Sequence, residues 1–306
     1  MKHVFRATAL LALTAAAAGA QRVEGRDESS WSTREPLASG QKLKLQSPNG
    51  AITITEGRGS DVVVRAEKRA ERGARMDDVG FVVRRTDEGL VICAVYDDDD
   101  YCDMDSDRSR REGRRWSSND SRNRASASFT VQLPEGVRVQ AVTGNGAVTI
   151  DGGGNEVNVA TGNGRVLVSN TSGRVKVSTG NGRINVDGAR GQVDASTGNG
   201  AVVVTTSRGP VNASSGSGDI EVTMDDIEQA AAMRFSTGSG DIILAVPSRF
   251  GAEFNATTGS GKISSEIPIR ISGRVNRWNM RGTIGEGGER LALSTGSGDI
   301  TIRKAR

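Results

Sequence analysis

The chain has 306 residues, 40 of them Gly, with 40 Lys and Arg against 37 Asp and Glu and a single histidine. The net charge of +3 is too even to supply the concentrated basic face that nucleic-acid binding needs. His3 is the only imidazole and lies in the leader described next, so Ser-His-Asp and Cys-His catalysis and His-ligated metals are excluded.

The N-terminus carries Lys2, His3 and Arg6, an apolar run from Ala7 to Ala18, and the small residues Ala18-Gly19-Ala20. This is the pattern of a secretory signal peptide over residues 1–20, cut before Gln21. Its loss lowers the net charge from +3 to +1, because Lys2 and Arg6 leave and no acidic residue does. The apolar run is shorter than the roughly 20 residues a membrane-spanning helix needs, and no later segment approaches that length. No Cys stands at the cleavage point to carry a lipid anchor, and the Arg303-Lys304-Ala305-Arg306 end lacks the terminal aromatic of an outer-membrane barrel strand. The expectation is an exported chain without a transmembrane segment, in the periplasm, on the cell surface or outside.

Residues 21–40 read as a flexible linker, and residues 41–134 as an N-terminal β region. Leu43 and Leu45, then Ser47-Pro48-Asn49-Gly50, then Ile52 and Ile54, form a first coil in the register of the later repeats. Alternating runs near Val62–Ala66, Gly80–Arg84, Leu90–Tyr96 and Ser128–Leu133 predict further strands. Cys93 and Cys102 are the only cysteines, and an oxidising compartment makes them a disulfide.

A charged insertion spans residues 97–126. Asp97 to Asp100, Asp103, Asp105 and Asp107 supply hard oxygen ligands for weak calcium binding. An EF-hand is excluded, because Arg108 replaces the turn glycine and Arg114 the bidentate Glu. Arg108, Arg110, Arg111, Arg114, Arg115, Arg122 and Arg124 balance these acids, so the default reading is a solvated polyampholyte loop tethered by the disulfide. Tyr101 and Trp116 could make it a contact surface for anionic glycans.

From residue 135 to 306 a repeat dominates. Thr-Gly-Asn-Gly begins at Thr143, Thr161, Thr179 and Thr197, and the variant Ser-Gly-Ser-Gly at Ser215, always 18 residues apart. Later copies begin at Thr237, Thr258 and Thr295, after spacings of 22, 21 and 37 residues. Apolar columns run four and two residues before each tetrad, as at Val157 and Val159, and five and seven after its start, as at Val166 and Val168. Polar residues between them give the period of two expected of strands with one buried face. The predicted fold is all-β, a parallel β-solenoid of roughly 18-residue, two-strand coils, right-handed by the general crossover preference.

The corners follow from the same spacing. Gly144, Asn145 and Gly146, Gly162, Asn163 and Gly164, Gly180, Asn181 and Gly182, and Gly198, Asn199 and Gly200 are predicted to turn the chain where a Cβ would clash. Asn145, Asn163, Asn181 and Asn199 could form an amide ladder.

Nucleotide binding fails on spacing. Leu167 and Asn185 occupy the third-glycine positions of a Gly-x-Gly-x-x-Gly motif, and around Lys262 a phosphate-loop reading meets Ala256 for its first glycine and Ile263 for its hydroxyl. No cofactor is expected. Asp219 and Asp241 would stack about 5 Å apart in adjacent coils, a separation that suits a retaining glycosidase. Against this, both follow corner glycines, where carboxylates bond backbone amides.

The segments "SPNGAITITEGRGSDVVVRAEK", "FTVQLPEGVRVQAVTGNGAVTI" and "LALSTGSGDITIRK", with the repeated TGNGxVxV between, resemble the bacterial putative-adhesin family of β-strand-repeat proteins, a domain-of-unknown-function family. The resemblance covers roughly residues 40–306 and implies an exported β-helical domain for adhesion or surface interaction. It supplies no catalytic residues, and the insertion at residues 97–126 lies outside its pattern. The functional expectation is a non-enzymatic solenoid contacting a cell-surface glycan or protein, with a carbohydrate-active enzyme using Asp219 and Asp241 as the alternative.

Overall fold

The computed structural model describes residues 22–71, 74–96, 102, 125–206, 208–227, 231–272 and 276–305. The expected signal peptide and the Asp- and Arg-rich stretch, with its calcium reading, lie outside the described residues except for Cys102, Ala125 and Ser126.

The chain folds as a two-sheet parallel β-solenoid, with one sheet of 13 strands and a second of 12. Each repeat contributes one strand to each. Glu156–Asn163 and Val166–Ser169 make one coil, and Arg174–Asn181 and Ile184–Ala189 make the next. The register follows the 18-residue period, with Val157 on Val175 in the first sheet and Val166 on Ile184 in the second. One β-bulge interrupts it, between Val186 and Ala189. The apolar columns of both sheets close on one another in a continuous core from Trp31 to Ile302. A single coil buries about four aliphatic side chains at roughly 1.5–3 kcal/mol each, against backbone ordering of roughly 1–2 kcal/mol per residue. It cannot fold alone, so stability comes from stacking.

The order of coils in space departs from their order in sequence at both ends. Met233–Ser239 pairs with Arg290–Ser297, which pairs in turn with Ala252–Ser260. In the second sheet, Ile300–Lys304 lies between Ile242–Val246 and Ile263–Ser265. The last coil of the chain is thus spliced in one place before the end of the stack. At the other end, Lys42–Asn49 lies between Gly89–Val95 and Arg138–Asn145, while Ile52–Glu56 lies between Ala125–Leu133 and Val148–Asp151. The coil expected to come first is therefore second.

Antiparallel strands finish both sheets at the N-terminal end and the first sheet at the other, where the second sheet ends on the parallel strand Ile263–Ser265. Asp61–Ala70 pairs with Ala125–Leu133, and Ser30–Pro36 with Asp61–Ala70. Gly80–Thr86 covers the other sheet, where Phe81 stacks on Trp31 at 4.8 Å and meets Phe129 edge-on at 5.8 Å. Residues 21–40 were expected to be a linker; instead Ser30–Pro36 is an edge strand, because Trp31 within it and Leu37 directly after it are buried in the core. The core is continuous across residues 134 and 135, so the expected division there falls inside one packed unit. At the far end, Asn279–Ile284 and Ile269–Ile271 add to the first sheet.

Candidate functional site

The corner after each first-sheet strand concentrates the repeat's polar groups. Its middle glycines pack backbone on backbone. A Cβ at Gly162, Gly180 or Gly198 would lie 2.5, 2.6 and 2.5 Å from the carbonyl oxygen of the equivalent glycine one coil earlier. The closing glycines are tighter still. Gly146, Gly164, Gly182 and Gly200 would each drive a Cβ into the carbonyl of the preceding coil's closing glycine, and Gly200 also sits at φ 142°. Gly144 begins this column beside Asn145 in Arg138–Asn145.

Between the glycines the Asn side chains are exposed and linked. Asn145 Nδ2 donates to Asn49 Oδ1 at 2.7 Å, and Asn163, Asn181 and Asn199 each donate to the Asn before at 2.8, 2.7 and 2.7 Å. Ser217, Ser239, Ser297 and Ser260 carry the column onward in that spatial order.

The tetrad's opening Thr was not among the expected corner residues. Thr143, Thr161, Thr179 and Thr197 are buried, and each hydroxyl donates to the carbonyl of the previous coil's closing glycine at 3.0–3.2 Å. The signal was present: Thr143 has the inward parity of Val139 and Ala141, so a period of two already turns it toward the core.

Asp219 and Asp241 stand in adjacent coils, as their spacing implies, but Asp299 follows Asp241 and Lys262 comes last. Asp219 Oδ1 accepts the Asp241 N–H at 2.9 Å, Asp241 Oδ1 accepts the Asp299 N–H at 2.8 Å, and Asp299 Oδ1 accepts the Lys262 N–H at 2.9 Å. Lys262 Nζ ends the row 3.8 Å from Asp299 Oδ2. Each Asp therefore links its coil to the next at the corner, with Asp219 and Asp241 exposed and Asp299 half-buried.

A denser polar cluster lies on the outer face of the first sheet. Asp194 receives Arg174 at 2.6 Å, Asn212 at 3.0 Å and Gln192 at 3.1 Å. Burial pushes its carboxyl up, but the bonds from Arg174, Asn212 and Gln192 outweigh burial and hold it below the usual carboxylate range. At the N-terminal end, Lys68 is buried and donates to the carbonyls of Gly25, Arg26, Met76 and Val79. Burial, and then the positive charge of Arg26, lower its pKa.

Cys93 and Cys102 form a disulfide, packed with Val82, Val91 and Val95 in a small second core. Among the described residues, no three metal-ligating side chains converge, and no helix is long and apolar enough to cross a membrane.

Stacked glycine corners, hydrogen-bonded Asn and Thr columns and two sheets define a parallel β-solenoid whose recurring polar residues tie coil to coil. The chain belongs to the Toastrack DUF4097 family, whose model matches residues 103–303. Three solved structures show low similarity. A putative cell adhesion protein from Clostridium sporogenes is 10% identical, over 90% of this chain and 99% of that one, with a TM-score of 0.30. A putative adhesin from Parabacteroides distasonis is 12% identical, over 90% and 98%, with a TM-score of 0.42. One from Bacteroides fragilis is 14% identical, over 89% and 96%, with a TM-score of 0.31. A comparison with curated proteins gives no match.

Proposed function

We propose that this chain is an exported, non-enzymatic solenoid that presents its flat faces for adhesion or cell-envelope interaction, with a surface glycan or protein as the partner. The observation that carries the reading is the use made of Asp219 and Asp241. The best catalytic carboxylates in the sequence each hold a backbone N–H of the next coil from an exposed corner. A retaining pair instead needs two carboxyl groups free to flank a glycosidic bond in a cleft. The leader and the disulfide support export to an oxidising compartment.

A glycan array with the mature protein, followed by hydrolysis assays on every hit, tests the reading. Binding without turnover is the expected result. Turnover that disappears in Asp241→Asn would replace it with the carbohydrate-active reading. N-terminal sequencing of the secreted chain should begin at Gln21, and a retained residue 1 would remove the export argument.

A further inference from the structure

The second sheet's outer face alternates polar and apolar side chains in a pattern centred on Val203. In spatial order its central outward column is Thr149, Leu167, Asn185, Val203, Glu221, Ile243 and Thr301. Taken outward from Val203, the pairs are Asn185 with Glu221, Leu167 with Ile243, and Thr149 with Thr301. In the corner column beside it the charge reverses about Ala201. Arg165 and Arg183 precede Ala201, Asp219 and Asp241 follow it, and Ala147 and Asp299 take the outer places. Arg165, Arg183, Asp219 and Asp241 are exposed, as is Leu167, and neither Arg forms an ion pair among the described residues. Asp219 and Asp241 both use Oδ1 within the stack.

We propose that this face docks on a second copy of the chain, with the solenoid axes antiparallel and a two-fold axis running along the strand direction at Val203. That operation keeps each column in place and inverts the coil order. Arg183 then meets Asp219 of the second copy, Arg165 meets its Asp241, Leu167 meets its Ile243, and the two Val203 side chains meet each other. Each contact away from the axis occurs twice, as an isologous interface requires, and the Val203 pair lies on the axis. A shift of the second copy by one coil still sets Arg183 on Asp241 and Arg165 on Asp299, so charge fixes the antiparallel orientation more than the register. A shift by two coils places Asp219 on Asp219 and Glu221 on Glu221 in one direction, and Arg183 on Arg183 in the other. Like charges in contact disfavour both.

Seven coils at about 4.8 Å, with five residues at about 3.3 Å, make a face of about 550 Å² per partner. This is the low end of specific interfaces, so the dimer is weak and salt-sensitive.

The test is sedimentation equilibrium of the purified chain from about 10 to 500 μM at low salt, a range suited to an interface of this size. A monomer–dimer equilibrium is expected. Arg183→Asp should raise its Kd by at least about tenfold, because two ion pairs become two repulsions. Asp219→Lys should do the same. An equimolar mixture of these two variants should recover a heterodimer, since the introduced carboxylate at 183 faces the introduced amine at 219. Val203→Arg alters neither the corner nor a core position and should also abolish dimerisation while leaving the circular dichroism spectrum unchanged. A chain that stays monomeric throughout this range, a folded Val203→Arg that dimerises like the parent, or a mixture that fails to associate would each overturn the proposal.

Discussion

Replacing Gly180 with Ala isolates the part that backbone contact between coils plays in stability. The added Cβ would lie 2.6 Å from Gly162 O, where ordinary contact begins at about 3.4 Å, so the coils must part locally by about 0.8 Å. The obstacle is backbone, which cannot swing aside. Three bonds cross this interface at the corner: Gly164 N to Asn181 O at 2.9 Å, Asn181 Nδ2 to Asn163 Oδ1 at 2.7 Å, and Thr179 Oγ1 to Gly164 O at 3.2 Å. An opening of that size takes most of them past bonding distance, at about 1 kcal/mol each. Lower unfolded-chain entropy returns about 0.4–1 kcal/mol to an Ala variant. The net expectation is a loss of about 2 kcal/mol in urea denaturation. Gly57→Ala is the control. Its Cβ would have 3.6 Å to the nearest atom and no positive φ, so it should be neutral or stabilising by about 0.5 kcal/mol. If Gly180→Ala were as stable as Gly57→Ala, coil spacing would not be what demands glycine at these corners. A lower m-value in Gly180→Ala would show the stack dividing at that coil into separately melting parts.

Reducing the Cys93–Cys102 bond, or replacing both residues with Ser, opens a loop whose ends are 9 residues apart in sequence. The chain-entropy model expects a loss of about 2–3 kcal/mol, measured by comparing urea midpoints with and without reductant, and unchanged midpoints would refute it. Lys68→Met keeps the shape of the side chain but strips the ammonium from four backbone carbonyls, so thermal unfolding should show a loss of about 3 kcal/mol. Asp194 titrates below its unfolded value of 3.8, so its bonds stabilise the fold above that pH and the contribution fades as pH falls through the lowered folded value. Asp194→Asn should flatten this acid limb. The effect should be a few tenths of a kcal/mol and smaller in salt, because Arg174 is more than half exposed.

The coil, its two buried columns and its glycine corners were legible because an 18-residue period overlays a period of two, and both are properties of sequence alone. The buried Thr column could have been read from the same parity. The linker expectation at residues 21–40 failed for a physical reason. Trp31, stacked on Phe81, and Leu37 anchor an otherwise polar segment, and two apolar residues that far apart announce no periodicity. The order of the last coils was hidden as well. Thr258 and Thr295 carry equivalent tetrads, and nothing local distinguishes a coil that stacks on its predecessor from one that slides in beneath it. The difference lies in Ile269–Ile271 and Asn279–Ile284, which return as antiparallel strands before Arg290–Ser297 takes its place beside Met233–Ser239.

The spliced ends solve a problem that every parallel solenoid has. A stack built in simple sequence order exposes its first and last coils as sheet edges, which are open both to fraying and to pairing with other chains. Here the first and last repeat coils are each held on two sides, and the outer places are taken by segments that continue into antiparallel strands. Edge strand Ser30–Pro36 carries Arg34 and Glu35 and ends in proline, which cannot extend a ladder; Gly80–Thr86 carries Arg84 and Arg85; and Ile263–Ser265 and Ile269–Ile271 have only three residues each. Growth end to end is thereby discouraged. Splicing also has a kinetic consequence. Lys42–Glu56 cannot complete its pairings until Arg138–Asp151 has formed, so its contacts span nearly a hundred residues. The central coils, whose partners are 18 residues away, have far less loop entropy to overcome and should order first.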